Sequence, residues 1–430
     1  MSSLPATPRT PSEFAQWRGA ADLGGRLFGQ IALRVHEWHR AISDLPFDAL
    51  ARAPGLREGS APVRTLHDGI TDGVYTAVQL TGTTVIDAAA MMLRAIERSA
   101  LAETRPQRDL GAHGTQLVGA LGGLVGDDMA ARRNPLAPRL GFYAVPDGAG
   151  NRSSQRLELR RDALAAACPD ARPRLAIFVH GLCCTEHAWS LYRDEQPADA
   201  ADYGTRIAAL GYSPLYLRYN SGLHISQNGR LFARALDRLF AEWPVPVEDV
   251  VLIGHSMGGL VARAAAHSGA QRRAPWTDKV SHVFCIGSPH LGAPLEQAVN
   301  LGVAHMRRYA LSRPLAQLLG SRSAGIKDLR QGATHDSDWR GRDPDALGPT
   351  PRAAIARIAG ARYHFLGSTL GNAANDRLAR TLGDGLVDLP SATARELADA
   401  DSATLTRVHH IRLLNHPLVW HWLDTRLRGH

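Results

Sequence analysis

The chain has 430 residues, 44% of them hydrophobic and 21% charged, which excludes a disordered or fibrous chain and leaves a packed globular protein. The formal net charge is +8, yet residues 1–150 carry 15 basic and 15 acidic side chains, so the excess lies downstream. Pairs such as Arg160-Arg161 and Arg272-Arg273 are short and lack interleaved aromatics, so they read as solvated faces, and no nucleic-acid partner is expected.

Residues 1–21 are rich in Pro, Ser and Thr and read as a loose tail. They lack the basic stretch and apolar core of a secretory signal. Beyond them Leu23, Leu27, Ile31, Val35, Trp38 and Ile42 recur at three- and four-residue steps, which predicts an amphipathic helix. A second helical pattern runs through Val74, Val78, Val85 and Ile96, and a third through Leu117, Leu121, Leu124 and Met129. Residues 22–137 therefore read as a helical N-terminal extension. Its balanced charge favours packing over peripheral membrane contact, which usually draws on Lys and Arg, although that contact stays open. No run of about 18 apolar residues occurs, so no transmembrane helix is expected. Cys168, Cys183, Cys184 and Cys285 form neither a CxxC pair nor a disulfide framework, which points to reduced thiols in a cytoplasmic protein with no metal site.

From residue 138 to 430 the pattern changes to short β-rich runs alternating with helices. The expected strands are 140–145, 156–160, 174–180, 213–219, 250–255, 280–287, 362–367 and 404–410. Continuous apolar runs at 175–179, 250–253 and 283–286 suit strands covered on both faces. Helices are expected at 225–243, 258–267, 294–311 and 417–428. The fold class is thus α/β, with about eight mostly parallel strands, an antiparallel start, and helices on both faces.

The chemistry centres on VVLIGHSMGGLVARAAAH. Gly254-His255-Ser256-Met257-Gly258 fits G-x-S-x-G, with an apolar strand before it and a helix after it, so Ser256 sits on a sharp corner that exposes its hydroxyl. A serine hydroxyl is a weak nucleophile and needs a base oriented by an acid. In this topology both must come later in the chain. The base is expected to be His410, with His409 and His416 as rivals. The acid is expected to be Asp384 in GDGLVD, with Asp388 and Asp376 as rivals. Charge developing on the substrate oxygen needs donors, and the Leu182 amide after His180-Gly181 and the Met257 amide are assigned that task. His180 and His255 read as structural.

GHSMGG, VHGL, GSPHLGAPLE, GDGLV and HHIRLLNHP resemble lipase-like serine esterases of the α/β-hydrolase superfamily, notably bacterial esterases and lipases. A more distant similarity is to the inositol-deacylating lipases. RYNSGLHISQNGR and SAGIKDLR share the likeness, which covers about residues 138–428. It implies a Ser256-Asp384-His410 triad, no cofactor, and hydrolysis of carboxylic esters from an ester or lipid-like substrate. It also implies a cap inserted at about 288–350. The CysCys after His-Gly-Leu departs from the usual pattern. Two alternatives stay open: an acyltransferase using the same acyl-enzyme, and a non-catalytic lipid-binding module on a hydrolase scaffold.

Overall fold

The structure, a computed structural model, describes residues 13–52, parts of 64–92, 111–145, 154–193, 201–293, 296, 322–346, 351–372, 383–394 and 401–429. Helix α1 spans Glu13–Arg52, so residues 13–21 continue the helix and are not part of a tail. Among the described side chains of the expected apolar stripe only Leu23 is buried; Leu27, Ile31, Val35 and Ile42 are 36–55% exposed. Packing alone therefore does not account for that face. Helix α2 spans Gly111–Ala131 and kinks at Val125, where φ is −138°. Among the described residues, no helix is long and apolar enough to cross a membrane.

Strands β1 (Gly141–Ala144) and β2 (Gln155–Arg156) pair antiparallel. β2 stops well short of the expected 160, because the chain turns at Leu159 into α3 (Arg161–Ala167). Alternation follows with β3 (Arg174–Val179), α4 (Tyr203–Ala209), β4 (Tyr212–Arg218), α5 (Ile225–Glu242), β5 (Asp249–His255), α6 (Met257–Gln271) and β6 (Val280–Ile286). Beyond these lie α7 (Ala324–Leu329), β7 (Arg362–Thr369), α8 (Leu389–Ala392), β8 (Asp401–Thr406) and α9 (Pro417–Leu427). The expected helix at 294–311 falls outside the described residues, apart from Glu296.

The eight strands form one sheet in the order β2-β1-β4-β3-β5-β6-β7-β8, parallel from β4 to β8. Side-chain alternation explains why the central strands are apolar throughout. Leu175, Ile177, Val179, Val250 and Leu252 pack on one face with Phe232 and Leu236 of α5 and Leu260 and Val261 of α6. Ala176, Phe178, Val251 and Ile253 pack on the other with Tyr203 and Ile207 of α4 and Trp422 and Leu423 of α9. Each strand is thus buried twice.

The strand order places the site. From β3 the chain steps to β4 on one side, and β5 then returns to the other side of β3. Loops leaving the carboxyl ends of β3 and β5 consequently diverge to opposite faces and open a crevice, where ligands of such sheets bind. His180-Gly181-Leu182 follows β3 and Ser256 follows β5.

Candidate active site

Ser256 is a non-glycine residue at φ 55° and ψ −126°, a conformation that costs on the order of 1–3 kcal/mol and persists only where the surroundings impose it. Its N–H donates to the Ile286 carbonyl at 2.8 Å, which pins the corner to the end of β6. The flanking glycines are needed for space. A Cβ on Gly254 would lie 2.4 Å from the Gly259 nitrogen, and one on Gly258 would lie 2.1 Å from the Val179 oxygen. Helix α6 can therefore rise tightly against β3 and β5.

Asp384 and His410 meet, 26 positions apart in the chain: His410 Nδ1 lies 2.8 Å from Asp384 Oδ2. Both are buried, at 2% and 3% exposure. Asp384 sits between Gly383 and Gly385, both at positive φ, in a turn whose amides are used for the carboxylate. The Leu386 and Val387 N–H groups donate to its Oδ1 at 3.1 and 2.9 Å. The His410 N–H also donates to the Asp384 carbonyl at 3.1 Å. With Nδ1–H directed at an ionised carboxylate, Nε2 is left as the acceptor.

His410 lies against the same strand end as Ser256, since a Cβ on Gly287 would be 3.3 Å from His410 Cε1. Its position differs from the sequence expectation. Arg407 adopts φ 60° and ends β8 after Thr406, so His410 opens a short 3-10 turn, His410–Leu413, rather than closing a strand. His409 does point elsewhere, exposed and edge-on to Tyr192 at 6.1 Å, but the turn and not strand alternation separates the two rings. His416 caps α9, accepting from the Leu418 N–H at 3.2 Å. Asp388 caps α8, accepting from the Ser391 N–H at 3.2 Å, and Asp376 lies outside the described residues.

Met257 is the first residue of α6, so its amide belongs to the first turn, whose N–H groups have no intrahelical acceptor. Gly181 brings the β3 loop up to the serine: a Cβ there would lie 3.1 Å from Ser256 Cβ. Leu182 is next in that loop. The loop is held from three directions. Tyr219 donates its N–H to His180 Nε2 at 3.4 Å, so Nδ1 carries the proton and donates to the Gly181 carbonyl at 2.8 Å. The Tyr219 hydroxyl donates to the His180 carbonyl at 2.8 Å. The Cys183 N–H donates to Ser221 Oγ at 3.1 Å. Burial lowers the His180 pKa to about 4, which keeps the ring neutral in this role.

His255 was expected to be structural, and its partner could not be read from the sequence. Its Nε2 lies 3.1 Å from the His410 carbonyl, so the residue before the serine holds the backbone of the histidine across the crevice. Burial first, and the neighbouring His410 second, lower its pKa to about 3; Nε2–H is the donor. The Cys183 and Cys184 thiols are both raised by burial, Cys184 to about 11, which keeps them protonated and poorly reactive.

Helix α2 also reaches the site. Gly119, Gly122, Gly123 and Gly126 face inward, and a Cβ on Gly123 would lie 2.3 Å from Cys183 Sγ. Asn220 Nδ2 donates to the Gly126 carbonyl at 2.7 Å, and the Ala324 N–H donates to Asp127 Oδ2 at 2.9 Å. The glycine spacing at three- and four-residue steps was the available signal for this close approach.

A mostly parallel sheet with an antiparallel start, and a serine on a strained strand-to-helix corner beside its switch point, decide the architecture. The fold is that of the α/β-hydrolases. Residues 226–330 of this hydrolase fold match the family described as the PGAP1-like alpha/beta domain. No curated protein matches the chain. Among solved structures, the lipase BlEst2 of Bacillus licheniformis, in its propeptide form, is 20% identical with a TM-score of 0.41. That alignment covers 60% of this chain and 50% of the lipase, so the likeness spans about half of the lipase's length. The carboxylesterase CesB of Bacillus subtilis is 13% identical over 74% of this chain and 99% of that one, at a TM-score of 0.33. An esterase of Pyrococcus furiosus is 12% identical over 68% and 89%, also at 0.33.

Proposed function

We propose that the protein is a serine hydrolase that cleaves carboxylic esters, with Ser256 as nucleophile, His410 as base and Asp384 as the acid that orients it. The observation that carries this reading is the buried 2.8 Å contact between His410 Nδ1 and Asp384 Oδ2 at the strand end that also anchors the strained Ser256. A merely structural serine would not require that conformation.

In the first half-reaction Ser256 Oγ bonds to the ester carbonyl carbon while its proton passes to His410 Nε2. The carbonyl oxygen becomes an oxyanion facing the Leu182 and Met257 amides, the latter at the positive end of α6. Collapse breaks the bond to the alcohol oxygen, which takes the proton from His410. Water then attacks the acyl-enzyme by the same proton route and releases the acid. Asp384 keeps its charge throughout and holds the imidazole in the required tautomer.

The test is hydrolysis of p-nitrophenyl esters from acetate to palmitate, with and without an added acceptor alcohol. Hydrolysis that falls at least 10³-fold in Ser256→Ala supports the reading. Acyl transfer that outruns hydrolysis would make the protein an acyltransferase with the same machinery. Activity retained in Ser256→Ala would remove the proposal.

The substrate side of the reading includes contact with a lipid surface. Trp17, Phe28, Ile31, Val35 and Ile42 share one face of α1 and are 37–62% exposed, and aromatic with aliphatic groups on one helix face suit the boundary of a bilayer. Flotation of the full chain with phosphatidylcholine vesicles is expected, and Ile31→Glu with Val35→Glu should abolish it. Equal flotation of both proteins, or none, contradicts this contact.

A further inference from the structure

The ester chemistry makes no use of Asp328, yet the fold buries this α7 carboxylate to 4% exposure and gives both of its oxygens partners at the start of α5. Its Oδ2 accepts from the Ile225 N–H at 2.8 Å, and its Oδ1 accepts from His224 Nδ1 at 3.0 Å. Ile225 is the first residue of α5, so its N–H has no acceptor inside the helix. A carboxylate there also meets the positive end of the helix dipole.

The His224 ring is held from a second side. It stacks on Trp339 with centroids 3.6 Å apart and planes 6° from parallel. Trp339 Nε1 donates to Ser226 Oγ at 3.0 Å, and the Ser226 hydroxyl donates to Asp336 Oδ1 at 2.7 Å. The chain from α7 to Trp339 is therefore clamped onto the first turn of α5.

The clamp seats α7 on the loop between β4 and α5. The Gly325 N–H donates to the Gly222 carbonyl at 2.9 Å, and a Cβ on Gly325 would lie 2.0 Å from the Ser221 carbonyl oxygen. That loop is tied down in turn, since Asn228 Nδ2 of α5 donates to the Asn220 carbonyl at 2.8 Å. Ser221 is the residue whose Oγ accepts from the Cys183 N–H, one position beyond Leu182. The residue before α7, Ser323, donates its hydroxyl to the Gly123 carbonyl of α2, and Gly123 is where α2 rests on Cys183. Helix α7 and its cap thus touch both supports, Ser221 and Gly123, of the backbone beside the Leu182 amide.

We propose that Asp328 is a positioning residue: it clamps α7 to His224 and Ile225, and α7 in turn sets the β3 loop so that the Leu182 amide faces the developing oxyanion. The chemical consequence rests on the ester hydrolysis proposed above; the hold on the loop does not. Loss of the clamp acts on charge stabilisation in the transition state rather than on substrate binding, so it lowers kcat and spares KM.

Two measurements on the full chain test this: hydrogen exchange read by mass spectrometry, and hydrolysis of p-nitrophenyl acetate against its thiono analogue, whose sulfur is a poorer acceptor for oxyanion donors. In Asp328→Ala both bonds of the clamp are lost. Exchange over residues 180–185 should then quicken at least about threefold while α6 stays as protected as before. For the acetate, kcat should fall about tenfold at constant KM, and the acetate-to-thiono ratio should fall with it. Combining Asp328→Ala with Ser221→Ala should cost little beyond the larger single loss, because both act on one route. His224→Phe keeps the stack on Trp339 and loses only the Nδ1 bond, so it gives a weaker form of the same effect even if Asp328→Ala fails to fold; His224→Asn, which keeps a donor near the Nδ1 position, should behave as the parent. Unchanged exchange over 180–185 in both variants, a lower kcat with an unmoved acetate-to-thiono ratio, or losses that multiply, overturns the proposal. A parent chain that hydrolyses neither ester removes the esterase reading instead, and the exchange data alone then decide whether Asp328 holds the loop.

Discussion

Ser256 holds its strained conformation because its neighbours leave it no other. The Gly258 position allows no side chain, with the Val179 oxygen 2.1 Å from where a Cβ would sit. Gly258→Ala should therefore destabilise the fold by about 2–4 kcal/mol, in the range of overpacking with backbone shift, seen as a lower urea midpoint. His410 Nδ1 and Asp384 Oδ2 are 2.8 Å apart, so, with His410 as the proposed base, Asp384→Asn is expected to lower kcat by about 10³–10⁴-fold by spoiling the tautomer. An effect below tenfold would remove Asp384 from the triad. His255 acts at one remove through the His410 carbonyl. His255→Phe should reduce kcat about tenfold with KM unchanged, since it disturbs the base and not the substrate; a change in KM alone would contradict that. The corner serine was legible because steric need fixes its flanking residue types. The choice among three histidines was legible only as a ranking, because it depends on Arg407 breaking β8 at φ 60°, which no residue pattern announces.

At the scale of elements, the central strands β3, β5 and β6 were readable because each is buried on both faces and carries a continuous apolar run at 175–179, 250–253 or 283–286. Short helices were not. Helices α3, α4 and α8 run 7, 7 and 4 residues, too few turns to show a 3.6-residue period, and α4 and α8 are set by caps at Asp202 and Asp388. The α1 pattern was read correctly as a helix, but Leu27, Ile31, Val35 and Ile42 of its stripe are partly exposed, since periodicity reports which residues share a face and not what covers it. Helix α2 lies closer to the crevice than its sequence implied, because Gly123 seats it on the β3 loop at Cys183 and Gly126 accepts from Asn220 in the loop after β4. Gly123→Val should push the β3 loop away from Ser256 and lower kcat by tenfold or more, while the far-UV circular dichroism stays unchanged. Full activity in that variant would mean that α2 does not position the loop.

Across the whole molecule, buried histidines with lowered pKa values sit at both ends of the sheet. At the crevice end burial lowers His180 to about 4 and His255 to about 3. At the opposite end His282 is lowered to about 4, by burial and then by His364, whose Nε2 is 2.8 Å from His282 Nδ1. All three lie below the unfolded value near 6.5, so the unfolded chain takes up these protons first as the solution is acidified. Stability is therefore full above about pH 6.5 and falls as pH drops through 4 and then 3, by at most about 1.4 kcal/mol per pH unit for each ring. Urea midpoints at pH 7.5 and pH 5 check this, and equal midpoints would contradict it. The broad architecture was legible from strand–helix alternation and apolar runs, whereas the contact of His255 with the His410 carbonyl was not, because the two residues are 155 positions apart and meet only across the folded crevice. The most direct measurement of the central claim is mass spectrometry of the full chain after treatment with a fluorophosphonate. A single adduct on the peptide carrying Ser256, strongly slowed in His410→Ala, is the predicted result; an unmodified chain, or an adduct on any other residue, would contradict the account.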